Sequence, residues 1–255
     1  MVFYPVEGVS DMQKRQMVTQ EGENVTVCAV KGNFDDCQSG VKKIFTDHKV
    51  LEALEQGGMT FSSANSINWG RLVPQIVYYV SSYVSLAESG QIAYGDLLNV
   101  VVPTGNFGNI LAAYYAKMMG VPLGKLICAS NINKVLTDFI RTGVYNRNRQ
   151  FYPTASPSMD ILISSNLERL LYLLTGEDDA QIREWFTALA EQGTYEVTDA
   201  VKAKLTEQFY GGFCDDAETK ATIAELYKKY GYTCDTHTAV AVKAYCLLYT
   251  SDAAD

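Results

Sequence analysis

Residues 100–114 read Val-Val-Val-Pro-Thr-Gly-Asn-Phe-Gly-Asn-Ile-Leu-Ala-Ala-Tyr. A run of β-branched residues passes through a small corner containing two glycines and enters an alternating apolar pattern, which reads as strand, turn and helix start. A corner of this kind gathers several unpaired backbone N–H groups around one point, and the helix dipole adds partial positive charge there. It suits a phosphate. Gly105 and Gly108 keep side chains out of the way, Asn106 and Asn109 offer amides and Thr104 a hydroxyl. The spacing matches neither the G-x-x-x-x-G-K-[ST] loop nor the G-x-G-x-x-G fingerprint, and a plain strand-to-helix turn that uses glycine for geometry remains open as the alternative.

Outward from this corner the same grammar repeats. Asn24 to Val30 is a β-branched run, followed by helical spacing from Asn33 to Phe45. Met59 to Phe61 is expected as a short strand leading into a long apolar helix through Ile76, Val77, Val80 and Val84, with a kink expected at Pro74. Leu97 to Val102 and Lys125 to Ala129 read as strands, and Asn109 to Met119 and Asn133 to Arg141 as helices. From about Ser164 the pattern turns helical, with stretches at 166–174, 180–192, 199–209, 216–230 and 238–249. The expected class is α/β, a parallel sheet wrapped by helices with a helical C-terminal third.

Composition narrows the function. The chain has 255 residues, of which 47% are hydrophobic and 20% charged, and a net charge of -8. That is an ordinary globular balance with no domain-scale basic patch to displace counterions from nucleic acid, so nucleic acid is not an expected partner. No apolar run approaches the roughly 18 residues of a membrane span and no signal peptide is legible, so the expectation is a cytoplasmic protein with no membrane partner. The six cysteines lack metal or redox spacing and read as inert thiols, and neither His48 nor His237 stands in a metal-ligand pattern. No metal site is expected. Asp35 and Asp36 read as helix-start carboxylates complementing the dipole, and Tyr78, Tyr79, Tyr114 and Tyr115 as core or domain-interface residues.

The segment Pro103-Thr-Gly-Asn-Phe-Gly-Asn109 resembles the glycine-rich loop of threonine synthases, pyridoxal-phosphate enzymes of fold type II. In the family's order so do Phe3-Tyr-Pro5, Gln16-Met-Val-Thr19, Gly32-Asn-Phe-Asp-Asp-Cys-Gln38, Ser62-Ser-Ala-Asn-Ser-Ile-Asn-Trp-Gly-Arg71, Pro157-Ser-Met-Asp-Ile161 and Asp235-Thr-His-Thr-Ala239. The resemblance runs from about residue 2 to about residue 248.

What it implies is a tryptophan synthase β-like fold and a carbon-oxygen lyase acting on phosphates: O-phospho-L-homoserine and water converted to L-threonine and phosphate, the last step of threonine biosynthesis, with pyridoxal 5'-phosphate (PLP) as cofactor. By that likeness Gly105, Asn106, Phe107, Gly108 and Asn109 hold the cofactor phosphate. Ser63, Asn65, Ser66, Asn68 and Arg71 are expected to meet the substrate, with an ion-pair role left open for Arg71. His237 is weighed as a capping or packing residue and left out of the catalytic set.

The resemblance also implies a Schiff-base lysine in a Ser-Phe-Lys-Asp-like segment, and none of this chain's lysines follows a phenylalanine. Lys31, Lys42, Lys43 and Lys117 read as solvated charges, and no catalytic residue is nominated. The expectation is therefore a fragment, catalytically inactive on its own. It would comprise 1–58 as the remainder of a smaller substrate-facing domain, 59–249 as the cofactor-phosphate-binding domain with a helical extension, and 250–255 as a tail of non-native origin. The alternatives are another fold type II enzyme, threonine dehydratase-like or cysteine synthase-like, or an anion-binding domain without catalysis. Oligomeric state is not legible.

Overall fold

The structure is a computed structural model that describes residues 1–7, 9 and 11–251. Its chain divides into two compact units between Ser63 and Ala64. The expected tail at 250–255 falls largely outside the described residues.

In the first unit, β1 (Val2–Pro5) and β2 (Val27–Val30) pair in parallel, Val2 opposite Val27, with α1 (Asp11–Val18) between them in sequence. Helices α2 (Phe34–Phe45) and α3 (His48–Gln56) follow. The Asp36 carboxylate accepts the Asn33 N–H at 2.8 Å while Asn33 Oδ1 accepts the Asp36 N–H at 3.1 Å, a reciprocal bond at the start of α2. The Asp35 side chain lies outside the described residues. The strand expected at 59–61 is absent: these residues are irregular, Met59 is exposed, and Phe61 stacks on Phe45 at 4.6 Å. A ring contact within the unit, not strand pairing, holds this segment.

The second unit carries the larger core. Helix α4 (Trp69–Glu88) runs unbroken through Pro74. Then come β3 (Leu98–Pro103), α5 (Gly108–Met118), β4 (Leu123–Ser130), α6 (Val135–Thr142) and β5 (Val144–Asn146). A 3-10 turn at Pro157–Met159 precedes α7 (Leu167–Thr175), α8 (Asp179–Glu191), β6 (Thr194–Glu196), α9 (Asp199–Gln208), β7 (Phe209–Phe213), α10 (Asp216–Tyr230) and α11 (Thr236–Ser251). Strands β3, β4 and β7 form one parallel sheet in that order. Successive parallel strands need a helix to return the chain, which accounts for α5 between β3 and β4. Helix α5 buries Ile110, Leu111, Ala112, Ala113 and Ala116, so its N-terminus is fixed against the sheet.

The α/β class holds, with a difference: β6 and β7 emerge from the part of the chain expected to be helical, and β6 pairs antiparallel with β5. In β7, glycines let α6 approach, since a Cβ on Gly211 would come within 2.9 Å of the Thr137 backbone. Thr137 and Arg141 of α6 bond the β7 carbonyls of Gly212 and Gly211 at 2.9 and 3.0 Å. Five of the cysteines are buried or half-buried free thiols, and Cys246 is exposed. Tyr78 is exposed rather than in the core, whereas Tyr79, Tyr114 and Tyr115 pack against it. Among the described residues no helix is long and apolar enough to cross a membrane.

Strand β6 places Tyr195 in an aromatic cluster, stacked on Tyr145 at 5.3 Å and near Phe139 and Trp185. Its hydroxyl is buried and meets no partner among the described residues. Removing such a group relieves a desolvation cost of about 1 kcal/mol without opening a cavity. Tyr195→Phe is accordingly expected to raise the thermal midpoint by roughly 2–4 °C, and a lowered midpoint in a scanning calorimeter would show the hydroxyl to be bonded.

Candidate functional site

The corner between β3 and α5 begins where Thr104 leaves the sheet. Its N–H donates to Ala129 O at 2.8 Å and its hydroxyl to Val102 O at 2.6 Å. The hydroxyl offered by the sequence is thus turned into the sheet. Phe107 follows in the left-handed region, φ 62° and ψ 4°, with its ring fully buried and 5.6 Å from that of Phe209. A non-glycine residue held there costs about 1–2 kcal/mol, and the packed ring keeps it in place. Such a residue turns neighbouring N–H groups toward one side, the geometry of an anion-binding nest.

The hydrogen bonds of the corner divide by polarity. Gly105 O accepts from Ser164 Oγ at 2.8 Å, and Asn106 O accepts from both the N–H and Nδ2 of Asn166, at 3.1 and 2.9 Å. The amides of Gly105, Asn106, Phe107, Gly108, Asn109 and Ile110 find no acceptor among the described residues. Helix α5 has no side-chain cap. The first intrahelical donor to be satisfied is Leu111, bonded to Phe107 O at 3.1 Å. The carbonyls are neutralised and the donors are left over, at the end of a helix carrying about half a positive elementary charge. A cavity of about 170 Å³ opens beside them, lined also by Ser66 and Gln75.

Glycine is needed here for approach. A Cβ on Gly105 would collide with the carbonyl oxygen of Ser158, and one on Gly108 would lie 3.0 Å from Ser66 Cβ. Asn106 Oδ1 is buried without a partner among the described residues. The Asn109 side chain is engaged elsewhere: Tyr79 Oη donates to its Oδ1 at 2.6 Å and its Nδ2 donates to Gln75 Oε1 at 2.9 Å. Asn109 therefore presents its backbone N–H to the corner, not its side-chain amide. Burial pushes the Tyr79 hydroxyl well above the usual tyrosine range, which keeps it a donor.

Of the residues expected to meet a substrate, Ser66 reaches the cavity, where its hydroxyl accepts from Asn166 Nδ2 at 3.0 Å. Asn65 Oδ1 accepts from Ile67 N at 3.2 Å, Asn68 Oδ1 caps α4 through Gly70 N at 2.9 Å, and exposed Arg71 bonds Ala64 O. Ser63 lies in the first unit. Sequence reasoning missed Ser164, Asn166 and Arg169. Arg169 supports the arrangement by bonding Asn166 Oδ1 at 3.2 Å and Ile67 O at 2.7 Å, with Trp69 5.7 Å away. The only visible signal was a polar triplet, Ser164-Ser165-Asn166, read as nothing more than a helix start. Lys117 stands near the far end of α5, bonded to Gly124 O at 2.7 Å; burial and the Lys125 charge lower its affinity for a proton.

No protein-family profile matches the chain. Individual proteins do. It is 48% identical to threonine synthase-like 1 of Homo sapiens over 243 residues, 94% of this chain and 33% of that protein. The solved PLP-bound threonine synthase from Brucella melitensis superposes with a TM-score of 0.80 at 40% identity, over 95% of this chain and 50% of that one. Threonine synthase from yeast superposes with a TM-score of 0.80 at 36% identity, over 98% and 50%. The chain spans between a third and a half of the length of these three proteins.

The glycine contact gives a direct check. Gly105→Ala forces the corner off the Ser158 carbonyl, an overpacking cost of about 1–3 kcal/mol. Denaturant unfolding should show the midpoint falling accordingly, and an unchanged midpoint would mean that the two segments are not in contact.

Proposed function

We propose that this chain, a homologue of threonine synthases and threonine synthase-like proteins over nearly its whole length, holds the phosphate end of PLP in the corner at residues 105–110. The reaction it serves in the whole protein is the conversion of O-phospho-L-homoserine and water to L-threonine and phosphate. The observation that carries the reading is the surplus of donors: six consecutive amides without acceptors beside a cavity, with the neighbouring carbonyls already bonded. A phosphate monoester has three strong acceptor oxygens and close to two negative charges, which is what that surplus requires.

In this reading Gly105, Asn106, Phe107, Gly108 and Asn109 bind the phosphate through their backbone amides, and Ile110 adds a sixth donor. Ser164 and Asn166 do not touch the anion; they keep the carbonyls of Gly105 and Asn106 from repelling it. Ser66, held by Asn166 at the cavity rim, is the residue of the polar run that faces the substrate, while Asn65, Asn68 and Arg71 shape the turn that carries it. Bound there, PLP supplies an electron sink for the proton shifts at the substrate's α and β carbons that let phosphate leave from the γ carbon. No lysine of this chain is assigned to covalent attachment.

Equilibrium dialysis against PLP tests this. Reversible binding competed by inorganic phosphate is expected, and Asn166→Ala should weaken it about 5–10-fold, since the Asn106 carbonyl would lose the Nδ2 bond and keep only the backbone N–H of residue 166. Absence of binding, or an Asn166→Ala chain that binds as well as the parent, would refute the assignment. A borohydride-stable adduct on one defined lysine would contradict the statement about covalent attachment.

A further inference from the structure

We propose that His237 is a positioning residue for the amide corner, acting through the peptide group of Ser158. This rests on the reading of residues 105–110 as a phosphate site. His237 stands in the first turn of α11, and its Nε2 accepts the Ser158 N–H at 3.2 Å. Its Nδ1 lies 3.4 Å from Asp235 Oδ1. Accepting at Nε2 requires the neutral ring with its proton on Nδ1, and a carboxylate on that side selects this tautomer. Asp235 is itself held in place: Thr238 donates to it through its hydroxyl at 2.5 Å and its N–H at 3.1 Å, and His237 through its N–H at 2.8 Å. These bonds, the Thr238 hydroxyl first, hold the Asp235 carboxyl below its ordinary range and so ionised.

The far side of Ser158 meets the corner. Its carbonyl oxygen lies where a Cβ on residue 105 would have to go, so the placement of this one residue sets how closely the turn seats on the loop. The next residues are fixed from another direction, since the Asp160 carboxylate accepts from Asn131 Nδ2 at 2.7 Å, Asn133 Nδ2 at 3.1 Å and Thr154 N at 2.9 Å. With Asp160 pinned, the one hydrogen bond from the Ser158 N–H among the described residues goes to His237. The chain Asp235, His237, Ser158, Gly105 therefore ties the start of α11 to the first residue of the corner. A purely packing role for His237 would not depend on which ring nitrogen position carries an acceptor.

Three variants separate the cases. Gln at 237 places an acceptor near the Nε2 position, Asn places one near Nδ1, and Ala places none. Two quantities are measured on the full chain: amide hydrogen exchange at residues 105–110 without cofactor, and the dissociation constant for PLP. His237→Ala and His237→Asn are expected to speed exchange at the corner and raise the dissociation constant about 5–10-fold, the effect of one hydrogen bond. His237→Gln should stay within about twofold of the parent in both. Exchange in β4 should be unchanged in all three. Parental exchange and affinity in His237→Ala, or failure of His237→Gln to restore what His237→Asn loses, would overturn the proposal. If the parent chain binds no PLP while corner exchange still follows the variants as described, the phosphate reading fails and the positioning role of His237 stands.

Discussion

The arrangement depends on how the polar groups of one loop are shared out. A strand-to-helix corner carries carbonyls and amides in equal number, and left alone the two would cancel toward any ion. Here Ser164 and Asn166 take the carbonyls of Gly105 and Asn106, and the amides from Gly105 to Ile110 are left without partners. The segment 164–166 is thus as much a part of the site as the loop, although it contacts only the loop's acceptors. Buried or half-buried donors without acceptors are costly, so the free corner stores a demand that an anion satisfies.

The fold holds this demand in place at two points of local compression. Phe107 adopts a left-handed conformation because its ring is packed beside Phe209 at the start of β7, a residue more than a hundred positions away in the chain. Gly105 lies against the Ser158 carbonyl closely enough to exclude any side chain. Neither would persist on an isolated loop. Both depend on β7 and the 157–159 turn being seated against the sheet, which in turn depends on the Asp160 bonds and on the glycine-mediated approach of α6 to β7. Stability of the core and readiness of the corner are therefore coupled.

The sequence showed the corner plainly, because apolar strand, glycine turn and helix start are local signals. It placed α10 at Asp216–Tyr230 to the residue for the same reason. What it hid was set by distant partners. Strand β7, Phe209-Tyr-Gly-Gly-Phe213, contains two glycines that weaken a strand pattern, and they are there because Thr137 of α6 comes close. Asn166 looked like a helix start because its bond to Asn106 spans 60 positions. Asn109 looked like a free amide because Gln75 and Tyr79, which occupy it, belong to another helix. The polar run 62–71 was legible as unusual, while its division into turn-makers and one cavity residue was not. The whole-chain likeness quoted from seven segments pointed to the same homologues that identity and superposition give.

The most direct measurement is the 1H–15N correlation spectrum of the chain titrated with inorganic phosphate. An amide proton that gains a charged acceptor moves strongly downfield, and the account predicts that the signals of residues 105–110 move together, with those of Ser164 and Asn166 nearly still. Perturbation scattered over surface lysines and arginines, with residues 105–110 unmoved, would contradict it.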